Sequence, residues 1–177
     1  PYFTEHLWFA TDGNGLAAMI LAPSVVTAKV GDGTKVTIRE ETSYPFSETI
    51  RFLVNPERTV SFPFTVRIPG WANGATVSVN GNASPKAVAG GYVRIELKWS
   101  KGDVVSVTLP MRIETKTWSQ RSGAISVYRG PLAYSLKINE QYDKKNRPNG
   151  WNAYEILPTT AWNYGLNANP KFIVKQR

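Results

Sequence analysis

Arg67-Ile-Pro-Gly-Trp71, Val77-Ser-Val-Asn-Gly81, Gly91-Tyr-Val-Arg-Ile-Glu-Leu97 and Gly102-Asp-Val-Val-Ser-Val-Thr-Leu-Pro-Met111 follow one another, and their reading decides the fold. Successive side chains on a strand point to opposite faces, so apolar residues at every second position mark a strand with one buried side. From Gly91 to Trp99, Val93, Ile95, Leu97 and Trp99 face one way while Arg94, Glu96 and Lys98 face the other. Asn80-Gly81 is a hairpin signal because both residues tolerate positive φ. Lys101-Gly102-Asp103 is expected to close the next strand pair, leading into Val105, Val107 and Leu109. The whole stretch is expected to form successive strands of one antiparallel sheet.

The same period extends toward the N-terminus. Val36 and Ile38 alternate with Lys35, Thr37 and Arg39, and Ile50, Phe52 and Val54 alternate with Thr49 and Arg51. Phe62, Phe64, Val66 and Ile68 form a longer inward row against Ser61, Thr65 and Arg67, with Pro63 marking an edge or a bulge. Gly31-Asp-Gly33 supplies another turn. Short strands at this spacing, without a 3.6-residue amphipathic segment, predict an all-β fold, an antiparallel β-sandwich of jelly-roll or immunoglobulin-like type. A boundary is expected at Leu109-Pro-Met111, giving a first sandwich domain over residues 1–109. Residues 110–177 are expected to begin a second, incomplete β module with Ile113–Trp118, Ala124–Tyr128 and Leu132–Leu136. Asn139 to Gly150 reads as a polar stretch, and the tail from Trp151 as irregular.

At 177 residues the chain is long enough to bury roughly 70% of its unfolded surface, so it needs no disulfide or metal staple. The absence of cysteine excludes a disulfide framework, a thiolate metal site and a thiol nucleophile, but leaves the compartment open among periplasmic, extracellular and cytoplasmic. Its longest apolar runs, such as Gly15–Ala22, fall short of the 18 or so residues that would span a bilayer, and no membrane role is expected. No signal peptide heads the chain, and its opening at Pro1 reads as a piece excised from a longer protein. The net charge of +8 raises an anionic partner, yet the basic residues are scattered. Their densest cluster, Lys144-Lys145-Asn146-Arg147, reads as a solvated loop. Nucleic-acid binding by an aromatic, basic sheet face is therefore disfavoured.

Chemistry is hard to place. Glycoside hydrolysis needs two facing carboxyl groups. The adjacent Glu40 and Glu41 would instead project to opposite faces of a strand, one inward and one outward. His6 is the only imidazole and has no visible triad partner, and no serine sits in a Gly-x-Ser-x-Gly elbow. Asp12-Gly-Asn-Gly15 and Asp32 read as turns rather than calcium loops, and no metal site is expected. Among the tryptophans, Trp99 is in phase with a buried row. Trp71 follows the Pro69-Gly70 turn and Trp118 lies among polar residues, so both are candidates for sugar stacking or a domain interface. Trp8, Trp151 and Trp162 are left unassigned.

Several phrases in order carry a resemblance. Glu41-Thr-Ser-Tyr-Pro-Phe46, Arg67-Ile-Pro-Gly-Trp71, Val79-Asn-Gly81, Gly91-Tyr-Val-Arg94, Gly102-Asp103, Leu109-Pro-Met111, Arg129-Gly-Pro-Leu132 and Trp162-Asn-Tyr-Gly-Leu166 span nearly the whole chain. Together they resemble the region that follows the catalytic domain in bacterial β-L-arabinofuranosidase-like glycoside hydrolases of family 127. The resemblance implies that an upstream (α/α)6 barrel carries the chemistry, with a cysteine nucleophile in a zinc-bound cysteine cluster and glutamates. None of those residues maps onto this chain, so no catalytic residue, metal ligand or cofactor is assigned to it, and the isolated chain is expected to be inactive. Zinc is expected only in the parent's catalytic domain. By this resemblance the chain is a non-catalytic accessory sandwich of an enzyme acting on arabinose-containing plant glycans, braced against its own barrel. Tyr44, Phe46, Trp71 and Trp118 are the candidates for contact with that barrel or with carbohydrate. The alternative is a stand-alone carbohydrate-binding or interaction module, and homodimerisation stays open.

Overall fold

The computed structural model describes residues 2–83, 86–146, 150–167 and 169–175. It divides into two compact units, Pro1–Arg112 and Ile113–Arg177. The first opens with a short helix α1 (Tyr2–Glu5), followed by β1 (Trp8–Thr11), β2 (Gly15–Ala18), β3 (Ser24–Val30), β4 (Thr34–Thr42) and β5 (Thr49–Pro56). It continues through β6 (Val60–Arg67), β7 (Thr76–Val79), β8 (Asn82–Ala83), β9 (Tyr92–Trp99) and β10 (Asp103–Thr108). These strands form two sheets, ordered β1-β2-β6-β9 and β3-β4-β5-β10-β7-β8. All pairings are antiparallel except β2 with β6, where Leu16, Ala17 and Ala18 run parallel to Phe64, Thr65 and Val66. Among the described residues, no helix is long and apolar enough to cross a membrane.

The sheets meet face to face, because the alternating apolar rows of both end in one core: Val36, Ile38, Ile50, Phe52 and Val54 from one, Phe62, Phe64, Val66, Val93 and Trp99 from the other. Phe64 and Phe52 touch edge-on across the interface at 5.2 Å between ring centres, and Trp99 meets Phe64 in the same way at 6.2 Å. Such contacts add about 0.5–1.5 kcal/mol each beyond the area they bury. The buried Trp99 indole donates to the Phe62 carbonyl at 2.9 Å, so its burial leaves no donor orphaned.

The opening stretch does not form one sheet. Arg67 ends β6 and Tyr92–Trp99 is β9, both in the four-stranded sheet, whereas β7, β8 and β10 lie in the six-stranded one. Alternation reports only that one face is buried, and both sheets bury their faces in the same core. The Asn80-Gly81 turn does close a hairpin, joining β7 to β8 with φ of 51° and 82°. Lys101-Gly102 instead carries the chain from β9 across to β10 in the opposite sheet.

Two further expectations change. Leu97 is in phase with the buried row yet 41% exposed, because β9 is an edge strand and is flanked on one side only. Pro63 sits on an interior strand, not an edge; the β2 ladder begins at Phe64, so the missing donor falls at its end. Gly15 lies against it, and a Cβ there would stand 2.3 Å from the Pro63 carbonyl oxygen, so only glycine fits.

The second unit contains a three-stranded antiparallel meander, β11 (Ile113–Trp118), β12 (Ala124–Arg129) and β13 (Leu132–Tyr134). A separate hairpin pairs β14 (Glu140–Asn146) with β15 (Asn152–Pro158). The stretch read as a polar segment followed by an irregular tail thus contains two paired strands. Lys144 and Lys145 are strand residues rather than loop residues, and Lys145 pairs with Glu155 at 3.0 Å; Arg147 lies outside the described residues. Every buried apolar side chain described falls at or before Met111, while Ile125, Tyr134, Leu136, Tyr154, Ile156 and Trp162 are exposed.

Burial separates two residues that sequence phase puts together. Phe64→Ala should lower stability to chemical denaturation by about 3–5 kcal/mol, and Leu97→Ala should change it by less than about 1 kcal/mol. Equal losses would contradict the assignment of the core. Residues 2–112 expressed alone should unfold in one cooperative transition, whereas residues 113–177 alone should show none, as read by circular dichroism during heating.

Candidate functional site at the Tyr44 and Trp71 turns

Thr49 pairs with Thr108, and Thr108 with Thr76, so the turn before β5 and the turn before β7 emerge at the same end of the sandwich. In the 43–48 turn, Phe46 and Ser47 donate their amides to the Ser43 carbonyl at 2.8 and 3.2 Å, and the Tyr44 amide donates to Thr42 Oγ1 at 2.9 Å. The Tyr44–Pro45 peptide is cis. In the 68–75 turn, the Ala72 amide donates to the Pro69 carbonyl at 3.0 Å and the Ala75 amide to the Ala72 carbonyl at 3.2 Å.

These turns bring Tyr44 and Trp71 together. Both are half-buried and pack on the core. Burial pushes the Tyr44 hydroxyl pKa up, opposed by the Arg67 guanidinium and by a hydrogen bond with Trp71. Phe46 sits at the tip of its turn and is 69% exposed. The chain leaves the first unit at the same end: Glu48 accepts the Leu109 amide through its carbonyl at 2.8 Å and the Met111 amide through Oε1 at 3.0 Å. Trp118 belongs to the second unit. Its indole donates to Ser126 Oγ at 2.9 Å, and the Lys116 ammonium lies 3.9 Å from the ring centre, covering one face that a sugar would need.

The other candidates fall where strand geometry puts them. Glu41 is exposed, with Arg51 3.9 Å away, while Glu40 points inward and is 2% exposed. Glu40 Oε1 accepts the Ala22 amide at 3.0 Å, and Oε2 accepts Ser24 Oγ at 3.1 Å. Ser24 in turn accepts the Trp8 indole at 3.0 Å. Neither Ser24 nor Trp8 was assigned a role from sequence, although Val36, Ile38 and Glu40 share one phase and that phase is the buried one. His6 is exposed at the N-terminus, its Nδ1 2.6 Å from the Tyr2 carbonyl. Asp32 is the turn residue its neighbours imply: Thr34 donates to it through both amide and hydroxyl, which holds its carboxyl below the usual range. With no cysteine in the chain, and no three His, Asp or Glu side chains gathered among the described residues, the zinc implied by resemblance has no fitting ligand set here. No chemical step is assigned to these residues.

Residues 15–111, from the start of β2 to the last buried residue of the sandwich, match the family model described as the β-L-arabinofuranosidase GH127 middle domain. The chain belongs to this family. No curated protein matches it at a significant level. Among solved structures, it is similar to a GH127 β-L-arabinofuranosidase from Geobacillus stearothermophilus T6, at 23% identity and a TM-score of 0.67 over 96% of this chain and 31% of that one. A protein described as a glycoside hydrolase is 21% identical, with a TM-score of 0.62 over 90% of this chain and 31% of its own. A further GH127 β-arabinofuranosidase is 21% identical, with a TM-score of 0.62 over 84% of this chain and 32% of its own. At these identities the likeness speaks for the fold. This middle-domain chain spans about a third of the length of each.

The two aromatic turns should respond differently to substitution. Tyr44→Phe removes the hydroxyl that meets Trp71 and should cost about 0.5–1.5 kcal/mol in urea unfolding, while Phe46→Ala should stay within about 0.5 kcal/mol. The reverse ranking would contradict the placement of these side chains.

Proposed function

We propose that this chain is the non-catalytic β-sandwich region of a β-L-arabinofuranosidase-type glycoside hydrolase acting on arabinose-containing plant glycans. Its 43–48 and 68–75 turns brace the catalytic (α/α)6 barrel of the same polypeptide. The supporting observation is the family match: a sandwich spanning 15–111 that is described as a middle domain has polypeptide neighbours to contact. The placement of Phe46 fits that role, because a large aromatic at an exposed turn tip beside two half-buried ones is a ready anchor for a protein surface. Any zinc belongs to the barrel in this reading, and the sandwich contributes shape and rigidity rather than acid, base or nucleophile.

The test uses the chain and a separately expressed barrel domain of the same enzyme. The chain alone should release no aglycone from an aryl β-L-arabinofuranoside. It should bind the barrel in titration calorimetry, and Phe46→Asp should weaken that binding about tenfold or more. Hydrolysis by the chain alone, or binding indifferent to Phe46→Asp, would overturn the proposal.

A further inference from the structure

The outer face of the four-stranded sheet holds a cavity that neither the core nor the aromatic turns use. It measures about 460 Å3, and its lining includes Gly13, Ser61, Pro63, Arg94, Glu96 and Lys98. That volume falls within the roughly 300–1,000 Å3 of small-molecule sites. Strand register builds two of its sides. Ser61 pairs with Lys98, Pro63 with Glu96 and Thr65 with Arg94, all out of phase with the inward Phe62, Phe64 and Trp99. These side chains therefore share the solvent face.

The turn between β1 and β2 supplies the remaining wall. A Cβ on Gly13 would lie 3.5 Å from Pro63 Cγ and 3.7 Å from Arg94 Nη2, so the turn backbone and the guanidinium meet above the proline ring. The wall is anchored to the opposite sheet's loop: Asn14 Nδ2 donates to the Gly31 carbonyl, and the Gly31 amide donates to the Asn14 carbonyl, each at 2.9 Å. The cavity is thus held open in advance of any ligand, which lowers the ordering cost of binding.

Its charges select the ligand. Arg94 Nε donates to Glu96 Oε1 at 2.9 Å, which steadies the guanidinium and leaves Glu96 Oε2 to accept another donor. Lys98 has no ion-pair partner among the described residues, so the cavity carries two cations against one anion. One carboxylate would answer that excess, and the guanidinium fork suits it geometrically. A multiply charged phosphate fits less well, because Glu96 stands between the two cations along β9. Ser61 and Glu96 can pair with hydroxyls, while Pro63 offers an apolar floor to the C–H face of a ring. We infer that this cavity binds a uronic acid residue of an acidic glycan, its carboxylate on Lys98 and Arg94 and its ring hydroxyls on Glu96 and Ser61. The inference does not rest on the proposed bracing role, since the lining belongs to the sandwich alone.

Titration of the 15N-labelled chain with trigalacturonate, followed by amide NMR shifts, tests it. Shifts should be confined to the neighbourhood of Gly13, Ser61 and Arg94–Lys98. Neutral galactotriose should bind at least about tenfold more weakly, and Lys98→Ala and Arg94→Ala should each weaken trigalacturonate binding about tenfold. Lys29→Ala, which removes an exposed cation from the other sheet, should leave that affinity unchanged. No shifts at the cavity, equal affinity for galactotriose or inorganic phosphate, or an equal loss in Lys29→Ala would overturn the site.

Discussion

Phe64 is the point on which the sandwich depends. It lies on an interior strand of the four-stranded sheet, flat against Trp8 of its own sheet, edge-on to Trp99, and edge-on to Phe52 from the opposite sheet. A ring in that position can be buried only if β2 and β9 both pair with β6 and the six-stranded sheet closes over it. The chain satisfies this by switching sheets repeatedly: β6 and β9 lie on one side, while β7, β8 and β10 between and after them lie on the other. The consequence is a core drawn entirely from the first unit, and turns clustered at the sandwich ends where they are free to carry other work.

Much of this was legible in the sequence because burial on one face writes period two into a strand. The rows at Val36–Ile38, Ile50–Val54, Phe62–Ile68 and Val93–Ile95 are all inward, Trp99 is fully buried, and Asn80-Gly81 turns as its residues dictate. Which sheet a strand joins is not written there, since both inner faces produce the same alternation, and so the opening stretch resolved into two sheets rather than one. Leu97 shows a second limit. Its phase is right, but the edge position of β9 is a property of strand order that no local pattern encodes. In the second unit, the polar residues of β14 concealed a strand because neither face of that hairpin is buried.

The candidate site was legible in its parts and not in its assembly. The aromatic phrases around Tyr44 and Trp71 could be singled out, yet their meeting depends on Thr49, Thr108 and Thr76 lying in one row across three strands. Trp118 could not be separated from them by composition, and it falls in the other unit. Glu40 was readable as inward from its phase with Ile38, but its partners come from distant points of the chain, and the Trp8–Ser24–Glu40 chain exists only once β1, β3 and β4 are in place.

The proposed bracing role requires that one end of this GH127 sandwich meet a protein neighbour. Backbone hydrogen exchange by mass spectrometry, comparing the isolated chain with the longer glycosidase in which the proposal places it, addresses this most directly. The account predicts slowed exchange in the 43–48 and 68–75 turns of that longer protein, with the opposite-end turns at Gly31–Gly33 and Lys101–Asp103 unchanged. Equal exchange in both aromatic turns, or protection confined to the opposite end, would contradict it.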